Sequence, residues 1–399
     1  MTKSQSFGPI NSTERIAFMD SLRGFAVFGI FLVNMSMMAA PSMAYGSFAV
    51  FTDPVSFAVS LARHLLADGA FIFLFSLLFG ASFGLMMDPF GSRQSGIGLP
   101  AYYRRLFLIG VLGFFHVTVL WFGDILMIYA MSGLFLPFFR RRKSRTLLIW
   151  AVLLFILPTL FFAGLLLIPL ADSALYEQLD LDYETAIRSW IAYLNDGYLL
   201  EDFGQVARTR WTEYFYEPVV IFFTFFQCLG MMLLGLWMIR VGGFRQKPGE
   251  RSIFRKALLW IIPTAIIGKL AYVYLIYDES SYGLSIICFV LSTFGGPALG
   301  ILHFLGLRRL LRKERFRWLQ KSLAAVGRMA LTQYLLQSTF ISLLFYGYGL
   351  GLYGKVPPLS QILIVCGFFS LQCLISLVWL RHFPMGPLEW VLRKFTYLR

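Results

Sequence analysis

Residues 70–87 read AFIFLFSLLFGASFGLMM, eighteen positions with no charge and no proline. As a helix they cover about 27 Å at 1.5 Å per residue, close to the ~30 Å of bilayer hydrocarbon. Nine other apolar runs have comparable length: Asp20–Met38, Arg105–Phe122, Asp124–Phe139, Thr146–Ala171, Pro218–Ile239, Ala257–Tyr277, Leu284–Gly306, Ser322–Tyr348 and Leu359–Leu380. Long continuous runs mean helices rather than a membrane barrel, whose strands are short and alternate. The expected fold is all-α: a polytopic membrane helix bundle of about ten transmembrane helices.

Composition agrees. Of 399 residues, 58% are hydrophobic, 14% are charged and 42 are Phe, with a mean hydropathy of +0.69. Soluble domains carry roughly 25% charged residues. The net charge of +14 does not point to nucleic acid, because its distribution explains it. Lys and Arg gather at alternate ends of the runs: around Lys3, Arg15 and Arg23; Arg93, Arg104 and Arg105; Arg140–Arg145; Arg240–Lys256; Arg308–Lys321; and Arg381–Arg399. Of 35 basic residues, only Arg63, Arg188, Arg208, Arg210 and Lys355 fall in the opposite loops, with Lys269 and Arg328 inside runs. Basic loops stay cytoplasmic, so both termini are expected there, in a multi-pass protein of the cytoplasmic (inner) membrane. Arg23, in the first turn of the first run, argues against a cleaved secretory signal. Cys228, Cys288, Cys366 and Cys373 lie in apolar runs without metal or disulfide spacing.

Three sections follow: an N-terminal membrane half (1–171), an acidic extracytoplasmic insertion (172–217) and a C-terminal membrane half with a tail (218–399). The insertion holds ten acidic residues against three arginines. Thr185–Tyr193 and Gln205–Tyr216 are expected to be short interfacial helices, forming a solvated cap or a lid over the outer mouth. Pro54–Ala67 is expected to be a short amphipathic helix. The tail from Pro387 reads as a cytoplasmic amphipathic helix with an i,i+4 pair, Glu389 and Arg393.

Polar groups inside spans are costly and mark function or pairing. Arg23 and Asn34 lie about 16 Å apart along the first helix. Either Arg23 snorkels and Asn34 bonds a neighbouring helix, or Arg23 holds a cytosolic anion and Asn34 orients a reacting group. His116, at a depth similar to Asn34, is a candidate general base. Asp124, eight residues on, can orient its ring, and Tyr129 follows; the alternative is a packed structural histidine. Arg328 lies one turn from Thr332, with Gln333 and Gln337 alongside. It binds a phosphate or pairs with Asp20. Lys269 snorkels outward or lines an outer cavity. His64, near Arg63 and Asp68, is expected to face the outer surface; His303 and His382 sit beside basic clusters.

These residues carry a resemblance. RIxxxDxLRGFAxxGIxxxN, from Arg15 to Asn34, resembles the opening of the YeiB-like bacterial membrane proteins, a family catalogued as a domain of unknown function. Phe75–Ala81, His116 with Gly123–Leu126 and Tyr129, Gly327–Thr332 with Tyr334, and Gly386–Trp390 match further blocks in order. That family is similar to transmembrane acyltransferases, including heparan-alpha-glucosaminide N-acetyltransferase and bacterial sugar O-acyltransferases. The resemblance implies transfer of an acyl group from cytosolic acyl-CoA, a co-substrate rather than a permanently bound cofactor, to a small-molecule or glycan hydroxyl or amine on the far side. Many sugar acyltransferases have a His eleven residues after the first-span Arg; here it is Asn34. The heparan enzyme also has Asn there and a catalytic His eleven residues later, where this chain has Tyr45. The base then moves to His116, oriented by Asp124, with Asn34 donating to the oxyanion and Arg23 and Arg328 holding CoA phosphates. The competing expectation is a transporter or flippase for a small anionic or lipid-linked solute.

Overall fold

A computed structural model describes residues 17–41, 50–87, 98–167, 173–216, 218–244, 251–277 and 282–398. Lys3, Arg15, Tyr45, Arg93, Arg245, Lys247 and Arg399 lie outside the described residues. The chain forms α1 (Ala17–Ala39), α2 (Pro54–Leu66), α3 (Ala70–Met87), α4 (Leu99–Val119), α5 (Leu126–Phe139), α6 (Ser144–Leu166), α7 (Ser173–Tyr198) and α8 (Phe203–Tyr216). It continues with α9 (Pro218–Arg240), α10 (Arg251–Tyr277), α11 (Tyr282–Leu310), α12 (Arg317–Arg328), α13 (Ala330–Phe345), α14 (Pro358–His382) and α15 (Pro387–Tyr397). No strand occurs among the described residues.

Among the described residues, seven helical stretches are long and apolar enough to cross a membrane: α1, the run Pro54–Met87, α6, α9, α10, α11 and α14. The shorter α5 and α13 are apolar, and α4 carries Arg104 and Arg105 near its start. Each expected run contains helix among the described residues, in a multi-pass bundle. Trp260 at 79%, Leu259 at 73% and Phe138 at 71% exposure show that the outside is apolar, a surface that needs lipid rather than water. Among the described residues, contacts join the basic segments: Arg240 donates to the Arg140 and Arg142 carbonyls, Arg308 to the Gly243 carbonyl and Arg104 to the Thr396 carbonyl. The end of the bundle they mark is called the basic face below.

Two close crossings organise the interior. A Cβ at Gly24 would overlap the Leu323 carbonyl, and one at Gly327 the Asp20 carbonyl, so α1 and α12 meet backbone to backbone. Gly80 and Gly235 do the same for α3 and α9, against the carbonyls of Met232 and Leu77. Without a hydrophobic drive between helices in lipid, small residues that allow such approach hold the bundle together.

Three expectations are corrected. The run Ser322–Tyr348 is not one helix; it breaks at Met329 (φ −117°, ψ 26°) into α12 and α13. The reason is non-local. Glu389 of α15 accepts from the N–H groups of Leu331 (2.7 Å) and Thr332 (3.1 Å) and from the Thr332 hydroxyl (2.6 Å). It thus satisfies the orphan donors of a new helix start. Glu389 faces α13, therefore, rather than serving mainly as an i,i+4 partner for Arg393. The insertion holds longer helices than expected and is docked, not merely solvated. Arg210 of α8 is fully buried, donating to the Thr118 carbonyl (2.9 Å) and the Tyr348 hydroxyl (2.7 Å). Tyr198 of α7 donates to Glu213 at 2.5 Å, and burial pushes its hydroxyl well above the usual range, with the Glu213 charge adding to the shift. Lastly, His64 lies toward the opposite end from the basic face but is wholly buried. The short amphipathic helix expected before the second span is α2, where Asp53 accepts from the Val55 and Ser56 N–H groups (3.1 and 3.0 Å) and Pro54 starts the helix.

Candidate functional site

A cavity of about 1090 Å³ occupies the half of the bundle away from the basic face. Its walls come from the later part of α1 (Ile30–Met37), the α2–α3 junction, the α4–α5 turn, and the adjoining ends of α9, α10 and α11. Tyr214 of the insertion also lines it, so α8 contributes to its wall. The volume lies just above the usual ~300–1,000 Å³ of small-molecule sites. Aromatic and aliphatic side chains make most of the wall. Asn34, Asp124, Arg63, Asp68 and Lys269 interrupt it.

Asp124 owes its position to the end of α4. There the N–H groups of Leu120 and Trp121 both bond the His116 carbonyl, at 2.8 and 2.9 Å, and the helix stops. The Asp124 carboxylate then accepts from the Met127 N–H at 2.6 Å through Oδ2, in the first turn of α5. Gly113 leaves the room, since a Cβ there would stand 2.6 Å from that oxygen.

His116 sits just behind this wall. Its ring is fully buried, stacked on Tyr334 with centroids 5.1 Å apart. Nε2 lies 2.8 Å from the Ser338 hydroxyl, and Nδ1 lies 3.4 Å from Asp124 Oδ1. The second contact is close but lacks hydrogen-bond geometry, leaving both atoms buried without a hydrogen-bond partner. Ser338 has one proton, and its alternative acceptor, the Tyr334 carbonyl, is more distant at 3.3 Å. If the serine donates to Nε2, the imidazole proton rests on Nδ1 and faces the carboxylate. Ser338, His116 and Asp124 then follow the order hydroxyl, imidazole and carboxylate found in hydrolases, with the imidazole–carboxylate contact short of a hydrogen bond.

The five residues expected to act together fall into separate places. Asn34 and Asp124 line one cavity, and His116 contacts Asp124 without reaching the cavity surface. Arg23 and Arg328 are not on its wall. Arg23 bonds Asp20 (2.7 Å) and Ser82 (2.7 Å), and Arg328 bonds the Pro384 carbonyl (2.6 Å). Both belong to the α1–α12 crossing near the basic face, about 16 Å below Asn34 along the helix.

Sequence reasoning missed two groupings. Ser338 carries no local signal, because its partner lies 222 positions away. The other is the meeting of Lys269 with the His64, Arg63 and Asp68 group at the α2–α3 junction. Asp68 accepts from or pairs with His64 Nδ1 at 2.6 Å and Arg63 at 3.5 Å, and Arg63 also donates to Ser36 at 2.5 Å. Lys269 donates to the Asp68 backbone carbonyl at 3.1 Å, with its ammonium 4.2 Å from the Tyr272 ring centroid. Of the two roles open to Lys269, the structure selects cavity lining.

Residues 238–399 match a family model described as "Protein of unknown function (DUF418)". The chain is 33% identical to the uncharacterized protein YxaH of Bacillus subtilis (strain 168), over 98% of this chain and 97% of that one. It is 29% identical to the uncharacterized protein YeiB of Escherichia coli (strain K12), over 96% of each chain. It is also 28% identical to an uncharacterized 39.9 kDa protein of Bacillus acidopullulyticus, over 98% of this chain and 96% of that one. No solved structure matches the chain.

Proposed function

Since the chain belongs to the YeiB-like family of multi-pass membrane proteins, we propose that it transfers an acyl group from acyl-CoA at the basic face to a hydroxyl or amine held in the cavity of the other half. The observation that carries this reading is the imidazole of His116 between the Ser338 hydroxyl and the Asp124 carboxylate, directly behind a cavity wall that also bears Asn34. The acceptor oxygen or nitrogen attacks the thioester carbonyl, the carbon–sulfur bond breaks, and CoA leaves as the thiol or thiolate. The acceptor enters past Asp124 and displaces the Ser338 hydroxyl from His116 Nε2, which then takes the acceptor's proton, and Asp124 stabilises the imidazolium that results. Asn34 donates to the developing oxyanion, a contact of a kind worth ~2.7–4 kcal/mol. Arg23 and Arg328 hold CoA phosphates. The thioester reaches the cavity when the α1–α12 crossing loosens, because both arginines lie below the cavity floor.

The test uses membrane vesicles containing the protein and its native acceptors, with radiolabelled acetyl-CoA. His116→Ala lowers label incorporation by about a hundredfold or more, within the general acid–base range; unchanged incorporation removes His116 from the reaction.

One observation favours a second reading. The cavity is confined to one half of the bundle, as in a carrier facing one side. Uptake of a small anion into proteoliposomes with no CoA present supports that reading over acyl transfer.

A further inference from the structure

Lys269 stands out among the cavity residues. It is 4% exposed, deep inside α10, and lines the cavity. An ammonium has three donors. One reaches the Asp68 backbone carbonyl at 3.1 Å, and the Tyr272 ring lies 4.2 Å away. The Asp68 carboxylate turns instead to His64 at 2.6 Å and toward Arg63 at 3.5 Å. Among the described residues no carboxylate comes within salt-bridge distance of Lys269. A buried charge is stable only when paired and hydrogen-bonded, so this ammonium has donors and charge to give to whatever enters the cavity. Arg63 and Asp68 line the same corner as an ion pair at 3.5 Å, so the excess positive charge there is that of one cation, with two cationic side chains placed to share it. The same cavity is also lined by Phe71, Phe162, Phe223 and Phe289.

We infer that the Lys269–Arg63 corner binds the anionic group of the cavity's ligand, a phosphate or carboxylate, while the phenylalanine wall takes an attached apolar chain. The ligand class is an anionic amphiphile. This rests on the reading that the cavity receives the acceptor, and it narrows that acceptor to a molecule bearing a hydroxyl or amine together with an anionic headgroup. A lipid phosphate and a free phosphate share the recognised chemistry, and the ligand's apolar part separates them.

The experiment measures binding of decyl phosphate, inorganic phosphate and decyl glucoside to the full chain in phosphatidylcholine nanodiscs. Decyl phosphate is expected to bind at least tenfold tighter than decyl glucoside, and about tenfold weaker to Lys269→Met than to wild type. Lys269→Arg, which keeps the charge, retains most of the affinity. Inorganic phosphate competing as well as decyl phosphate supports the corner and assigns it to a free anion. Equal affinity for decyl phosphate and decyl glucoside, or wild-type affinity in Lys269→Met, overturns the inference. Should Lys269→Met not fold, the wild-type comparison of charged and neutral amphiphile decides alone. Binding needs no acyl donor: anion binding without acetyl transfer defeats only the acyl-transfer reading, and transfer without anion selectivity defeats only this site.

Discussion

The two halves of α1 face different surroundings. At Gly24 the helix touches α12 so closely that a single methyl group has no room, and Gly327 meets Asp20 in the same way. Ten residues later, at Asn34, the same helix borders a cavity of about 1090 Å³. The arginines at the closed end are bonded to the chain's own groups, Asp20, Ser82 and Pro384. At the open end a buried ammonium bonds a backbone carbonyl, lies over a ring, and has Asp68 and Arg63 nearby on the same cavity wall. The difference teaches where space lies: the basic-face half is closely packed at rest, and the other half already holds a cavity.

Substitutions can break that contrast. Gly327→Val places a branched side chain where a backbone carbonyl already sits, and should cost about 3 kcal/mol by the overpacking scale, read as a lower thermal unfolding temperature of the purified protein. Full tolerance would mean the crossing is not tight. Glu389→Ala removes the cap on α13 and leaves two backbone donors unpaired. About 1–2 kcal/mol is expected, with faster hydrogen exchange at Leu331 and Thr332 as its local mark; unaltered exchange there would show that α15 does not fix the break. Thr224→Leu, on the cavity wall, fills empty space and should change stability by no more than ~0.5 kcal/mol. A loss as large as that of Gly327→Val would erase the distinction between the halves.

Much of the fold is legible from local signals. Ten apolar runs and alternating basic loops suffice for a multi-pass helical bundle, because bilayer thickness and backbone hydrogen bonding leave little choice. Asp53 followed by Pro54 announces α2. The break at Met329 is not legible, since its causes, Gly327 against α1 and Glu389 from the tail, lie far away in sequence. The site divides the same way. His116, Asp124 and Asn34 can be singled out as polar groups in apolar runs, and the structure brings His116 to Asp124. Ser338 and the Lys269–Asp68 contact join elements 222 and 201 positions apart, and no spacing rule reaches that far.

The most direct test of the account is sided acetyl transfer in sealed proteoliposomes. Radiolabelled acetyl-CoA is supplied only at the basic face, and extracted native lipid and glycan acceptors are enclosed only at the other. Label is predicted to appear on the enclosed acceptor with wild-type protein and to fall to the protein-free level with His116→Ala. Wild-type protein that moves no more label than empty vesicles, or a His116→Ala variant that moves as much as wild type, would contradict it.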